Sequence, residues 1–143
     1  MDAPNPDYAN AVTAAVLALP AAAHLGFTFG SLGPGSVGLD LEVRPEHTQH
    51  DGHVAGSVLG ALADYAGGSA AGTLLPAGWT NLTTDYTVKI VAPARGERLV
   101  ARGRVVHAGR STTVAAVDVH VVSGAAEVLC ATALVTMRNL KVG

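Results

Sequence analysis

Cysteine is nearly missing from this chain. Cys130 is the only one in 143 residues, so no disulfide can form within the chain. It sits in the apolar run Glu127-Val128-Leu129-Cys130-Ala131, where a packed thiol is expected. A lone thiol fits a cytoplasmic, reducing setting. Aromatic residues are also scarce, at 4%, so no element carries much bulky surface. Charged residues make up only 14%, the net charge is −2, and the nine basic residues are dispersed. That pattern argues against a nucleic-acid surface or a polybasic membrane patch. No apolar run reaches the ~18 residues of a membrane-spanning helix. The Ala-rich stretch 9–23 does not read as a signal peptide, because Asp2 and Asp7 precede it in place of a basic region and Pro20 interrupts it. No G-x-S-x-G nucleophile elbow occurs, and no phosphate-binding glycine motif follows a strand.

What the chain does have is apolar content and glycine. Hydrophobic residues reach 49% and glycines number 17, enough for a core built from small side chains. The length fits one domain, with residues 1–6 frayed around Pro4 and Pro6. Periodicity predicts a helix over 8–19 that Pro20 ends. Strands over 27–32 and 36–44 flank the turn Gly33-Pro34-Gly35 and form a hairpin. Residues 45–54 read as loop, and 55–75 as a long helix stopped by Pro76. Glycines 56, 60, 67, 68 and 72 weaken that helix, so only burial against something else stabilises it. Strands follow over 83–91, 98–106, 111–122 and 127–139, the last three as a meander. The order predicts an α+β fold with an antiparallel sheet and the long helix across one face.

Three places offer chemistry. Asp64 lies inside the small, apolar helix, on one stripe with Ser57, Gly60, Ala61 and Gly68. A buried acid is either used or paired, so Asp64 is a functional carboxylate, the partner of an arginine in an assembly, or a solvated edge residue. Gly56 opens the helix, where free N–H groups and the positive dipole end suit a developing oxyanion. Gly there lets a carbonyl come close, although it also simply accommodates a turn. His47, His50 and His53 flank Asp51, but no fourth ligand is evident, so local hydrogen bonding is preferred to zinc.

These residues resemble a known family. The segment Gln49-His50-Asp51-Gly52-His53-Val54-Ala55-Gly56-Ser57, closed by Leu62-Ala63-Asp64, is similar to the loop and helix of the hotdog-fold acyl-CoA thioesterases. The branch it most resembles is that of the phenylacetic-acid-degradation thioesterases. Gln49 stands at the family's Asn/Gln position, Gly52 at its first glycine and Gly56 at the glycine after its histidine. Downstream, the segment from Thr83 to Pro93-Ala94, the stretch from Gly96 to Gly103 and Gly109-Arg110-Ser111 match the family's strands and turn. The likeness covers about residues 24–138. Two positions depart: Ala55 stands where the family usually has histidine, and Ser57 replaces its second glycine.

The resemblance implies a hotdog fold, with the long helix wrapped by the sheet. It implies a homodimer with sheets joined edge to edge, as a dimer of dimers, with sites at the subunit interface. It implies hydrolysis of an aryl- or acyl-CoA thioester to free acid and CoA. Asp64 would act as general base or nucleophile, the Gly56 N–H as oxyanion donor, Gln49 as the group positioning water or carboxylate, and Thr83 as the hydroxyl orienting the water or Asp64. Ala55, Ser57, His50 and His53 would border the substrate, with Lys89, Arg110 and Ser111 toward the CoA phosphates. Pocket walls are expected from Leu59, Leu62 and Tyr65. No metal or other cofactor is required. Loss of the family histidine at Ala55 leaves a non-catalytic acyl-CoA-binding or sensor protein as the alternative. A hotdog hydratase is the lesser one, since no histidine stands at the helix start.

Overall fold

A computed structural model of the chain describes residues 1–142. In chain order come α1 (Tyr8–Leu17), α2 (Pro20–Leu25), β1 (Thr28–Gly33), β2 (Ser36–Glu42), α3 (Gly56–Gly72), β3 (Trp79–Ile90), β4 (Arg98–Ala108), β5 (Thr112–Ser123) and β6 (Ala126–Lys141). Short 3-10 turns at Pro45–His47 and His50–Gly52 occupy the loop before α3. The strands form one antiparallel sheet in the order β1-β2-β4-β5-β6-β3. Helix α3 lies across one face and touches β2 through β6. This is the α+β hotdog arrangement.

Alternation builds the inner face. Val37, Leu39 and Leu41 of β2, Leu99 and Ala101 of β4, Val117 and Val119 of β5, and Val135 and Met137 of β6 are all buried toward α3. The helix answers with Leu59, Leu62, Ala63, Ala66 and Ala70. Full burial of one Val or Leu contributes about 1.5–3 kcal/mol. The sheet also buries Cys130, whose Sγ donates to the Val119 carbonyl at 3.2 Å and whose thiol pKa is raised by that burial.

Two glycines set how closely helix and sheet approach. A Cβ on Gly67 would stand 2.9 Å from Val135 Cβ, and one on Gly103 would stand 2.7 Å from the Ala66 carbonyl oxygen. The second contact is to backbone, which cannot swing aside. The helix ends are tied down as well. Thr73 Oγ1, just past α3, accepts from the Gly35 N–H of the β1–β2 turn at 2.7 Å. Before α3, Val54 N–H donates to the Ala94 carbonyl at 2.8 Å and Ala55 N–H to the His47 carbonyl at 2.9 Å.

The structure corrects three boundaries. Helix α1 stops at Leu17, and Pro20 starts a second helix where the sequence predicts only an end. Proline suits the first helical position, where its missing N–H would have no partner anyway. Strand β3 begins at Trp79, four residues before the expected start at 83, because pairing with β6 recruits Trp79 through Leu82. Helix α3 is the shorter Gly56–Gly72, with Ala55 outside it as the N-cap.

Replacing Gly103 with alanine is expected to lower stability by about 1–3 kcal/mol through overpacking. A urea melt reads this as a lowered midpoint; an unchanged midpoint would mean that β4 can move away from α3.

Candidate active site

Strand β3 runs back along one stripe of α3, and its side chains cover residues spaced four apart. A Cβ on Gly56 would meet Ile90 Cδ1 at 3.0 Å, one on Gly60 would meet Tyr86 Cε2 at 3.5 Å, and one on Gly68 would meet Asn81 Oδ1 at 3.8 Å. Asp64 occupies the remaining place on this stripe, and its Oδ1 accepts a hydrogen bond from Thr83 Oγ1 at 2.7 Å. Simple alternation would not bring these residues to one face. Thr83 pairs with Met137 and Asp85 with Thr136, leaving Thr84 as an extra residue whose hydroxyl bonds the Thr136 carbonyl at 3.2 Å. This bulge shifts the alternation by one. Asn81 and Thr83 before it, and Tyr86, Val88 and Ile90 after it, therefore all turn toward α3.

Asp64 is half-buried, and no cation pairs with it among the described residues. With Oδ1 held by Thr83, Oδ2 remains available. The neighbouring Tyr65 hydroxyl has its pKa raised by burial and, second, by the Asp64 charge.

Gly56 opens α3 behind an extended Ala55 (φ −62°, ψ 140°), with no side chain capping the helix. The N–H groups of Gly56 and Ser57 meet no acceptor among the described residues, so they remain donors at the positive end of the helix dipole. Eight residues separate Gly56 from Asp64, which places them about 12 Å apart along the axis at ~1.5 Å per residue. One carbonyl cannot touch both within a single chain.

The remaining candidates spread out. Gln49 is exposed; its N–H donates to the His53 carbonyl at 2.8 Å, and its side chain makes no hydrogen bond among the described residues. Asp51 and Gly52 both take left-handed backbone, with φ 56° and 72°, which turns the loop tightly. Asp tolerates that region better than most residues. His50 is exposed, and its carbonyl is bound by His53 Nδ1 at 3.0 Å. His47 instead points inward. Its Nδ1 accepts from the Arg44 N–H at 3.0 Å and its Nε2 donates to the Leu25 carbonyl at 2.9 Å, which fixes the neutral tautomer. No group of three His, Cys, Asp or Glu side chains poised to hold a metal occurs among the described residues. Lys89 is exposed beside Ile90, at the Gly56 end of α3. Arg110, with Ser111 next to it in the β4–β5 turn, adjoins Leu74 and Trp79 at the opposite end, so one chain does not bring Lys89 and Arg110 together. Leu59 and Leu62 are not pocket walls. They are fully buried in the core under the sheet, because helical spacing puts them opposite the Asp64 stripe.

A groove of about 450 Å³ opens beside Asp64. Its walls are Val16 and Leu19 from the N-terminal segment, Tyr65 from α3, and Leu82 and Thr83 from β3. The sequence offered a signal for one member: Ser69 is the only hydroxyl among the Ala and Gly of 66–72. Nothing in the sequence pointed to Val16 or Leu19 as walls, since α1 reads as an ordinary amphipathic helix.

Comparison with known proteins agrees with this fold. The profile of the Thioesterase superfamily matches residues 51–128, more than half of the 143-residue chain. A thioesterase family protein from Silicibacter pomeroyi is 31% identical, with a TM-score of 0.91 over 94% of this chain and 98% of its own. A thioesterase from Haemophilus influenzae shares the fold at 24% identity and TM-score 0.80, covering 89% of this chain and 87% of its own. So does a phenylacetic acid degradation-related protein from Ralstonia eutropha, at 22% and 0.77 over 92% and 98%. No match was found among curated proteins. The chain belongs to the thioesterase superfamily and is a hotdog-fold thioester hydrolase.

Proposed function

We infer that the protein hydrolyses an acyl-CoA thioester to a free acid and CoA. The observation that carries this reading is Asp64, an acid on an apolar helix whose one oxygen is fixed by Thr83 and whose other is open to a groove. Asp64 removes a proton from water as that water attacks the thioester carbonyl, or attacks the carbonyl itself. The oxyanion forms against the Gly56 N–H. The C–S bond then breaks, and CoA leaves as a thiolate that takes up a proton; on the nucleophilic route, water then cleaves the acyl–Asp64 anhydride, releasing the acid and restoring the carboxylate. Gln49, at the mouth of the loop, contacts the substrate or the water. Ala55 and Ser57 border the thioester, His50 and His53 line the approach, and Lys89, Arg110 and Ser111 meet the CoA phosphates from two copies.

Two observations support assembly of this site from two chains. The first is the ~12 Å between Gly56 and Asp64, which one chain cannot close. The second is β3, the last strand of the sheet, with Leu82 60%, Tyr86 47% and Ile90 55% exposed. A long, apolar free edge favours pairing with another strand. A homodimer joined through β3, with dimers pairing further into a tetramer, would cover that edge and bring one chain's Gly56 toward the other's Asp64. No helix among the described residues is long and apolar enough to cross a membrane. The buried, unpaired Cys130 suits a cytoplasmic setting.

Free-thiol release from a panel of aryl- and alkyl-CoA esters tests the reading. Asp64→Asn is expected to lower kcat roughly 10²–10⁴-fold on every substrate. Undiminished turnover would remove Asp64 from the mechanism. Thr83→Val, which takes away a hydrogen bond to a charged group, is expected to lower kcat roughly ten- to a hundredfold with KM little changed.

A further inference from the structure

The groove beside Asp64 does not end at Thr83. A second lobe of about 130 Å³ continues from it along α3 and is lined by Val12, Gly72 and Trp79. The two lobes share Ala15, Val16, Gly68, Ser69, Thr80 and Asn81. Missing side chains keep the passage open. A Cβ on Gly72 would stand 3.3 Å from Val12 Cγ2, and one on Gly68 would stand 3.8 Å from Asn81 Oδ1.

At the junction of the lobes sits Ser69, 2% exposed, whose Oγ has no hydrogen-bond partner. A buried hydroxyl left unsatisfied is destabilising by about 1–3 kcal/mol, so native structures rarely keep one without a use. Asn81 stands beside it. Its Nδ2 is already spent on the Gly68 carbonyl at 3.1 Å, while its Oδ1 makes no bond among the described residues. The junction therefore holds one hydroxyl and one carbonyl oxygen without partners, the hydroxyl covered in the empty groove. The path to it is apolar, past Val16, Leu19, Tyr65 and Leu82. Ser69 lies five residues beyond Asp64, about 7.5 Å along the axis at ~1.5 Å per residue. That span matches a medium-length acyl chain or a substituted ring, not an acetyl group.

Resting on the thioesterase reading of Asp64, we propose that this passage is the acyl site. The acyl group enters between α1 and β3 with its carbonyl at Asp64, and it carries a hydroxyl-type substituent at the point where it meets Ser69 and Asn81. The substrate class is thus a medium-length acyl thioester, apolar near the carbonyl and hydrogen-bonding beyond it. Helix α1, outside the loop-helix motif, sets the acceptable length.

The test uses two variants outside the catalytic machinery. Ala15→Phe places a ring at an exposed rim position of the passage, and Ser69→Ala removes the hydroxyl. Turnover is measured with acetyl-, hexanoyl-, octanoyl- and ω-hydroxyhexanoyl-CoA. Binding of the matching free acids is followed by the fluorescence of Trp79, the only tryptophan, which lines the inner lobe. In Ala15→Phe, kcat/KM for the longer esters is expected to fall roughly tenfold or more, with acetyl-CoA within about twofold of wild type. In Ser69→Ala, the preference for ω-hydroxyhexanoyl over hexanoyl is expected to shrink roughly tenfold. Equal effects on all lengths, or none, would overturn the acyl site while leaving Asp64 in place. No hydroxyl preference in wild type, or one unchanged in Ser69→Ala, would overturn the polar substituent and mean that water satisfies Ser69. If no ester is hydrolysed but the acids still move Trp79 fluorescence in a Ser69-dependent way, the passage stands and the hydrolase reading falls. Silence in both assays overturns both.

Discussion

The close approach of α3 to the sheet governs the rest of the molecule. At Gly103 the strand backbone lies where a single methyl would strike the Ala66 carbonyl, and at Gly67 the helix backbone meets Val135. With no side chain between them, helix and sheet are locked at one separation and one rotation about the helix axis. Close packing transmits that restraint, because a core without voids does not deform continuously. The rotation that sinks Leu59, Leu62 and Ala66 into the core turns Gly56, Gly60, Asp64 and Gly68 toward β3. The facing of the Asp64 stripe toward β3 is here a by-product of packing. The low aromatic content that weakens each element is what permits the fit.

The same restraint explains which parts could be read from the sequence. Strands β2, β4, β5 and β6 each have one inner face, so alternation alone marked them, and the hairpin followed from Gly33-Pro34-Gly35. The stripe through Asp64 was legible from spacing, the loop motif pointed to Gln49 and Gly56, and the likeness of the downstream strand pointed to Thr83. Strand β3 was harder. It is exposed along nearly its whole length, so burial leaves no period in its residues, and its partner is β6, more than forty positions away in sequence. Its bulge at Thr84 reverses the alternation that would otherwise send Thr83 and Tyr86 to opposite faces. A bulge of that kind has no composition to announce it. Helix α2 was hidden for a different reason, since Pro20 marks a helix start and a helix stop equally well.

The loop before α3 shows how a polar segment is held without regular structure. The end of α2 and the start of α3 are joined through one histidine. His47 and the Arg44 guanidinium both donate to the Leu25 carbonyl, and the His47 carbonyl receives the Ala55 N–H. The position of Gly56 is thereby referred back to the core by way of His47, which explains a buried histidine that no catalytic step needs. Ala55 stands where the resemblance places a histidine, so the proposed site relies on backbone donors and on the Asp64–Thr83 pair. Preorganised donors of this kind need no rearrangement when charge develops.

The central claim is that the reaction centre is divided between two chains, Asp64 from one and the Gly56 N–H from another. Mixing tests it most directly. Asp64→Asn removes the carboxylate, and Gly56→Pro removes the N–H at a helix position that accepts proline. Each variant alone is expected to be nearly inactive. Unfolded and refolded together, they should form mixed dimers in which one of the two sites is intact, restoring about a quarter of wild-type activity if chains pair at random. No recovery from a mixture that native mass spectrometry shows to contain mixed dimers would contradict the account and remove one of the two groups from the reaction centre.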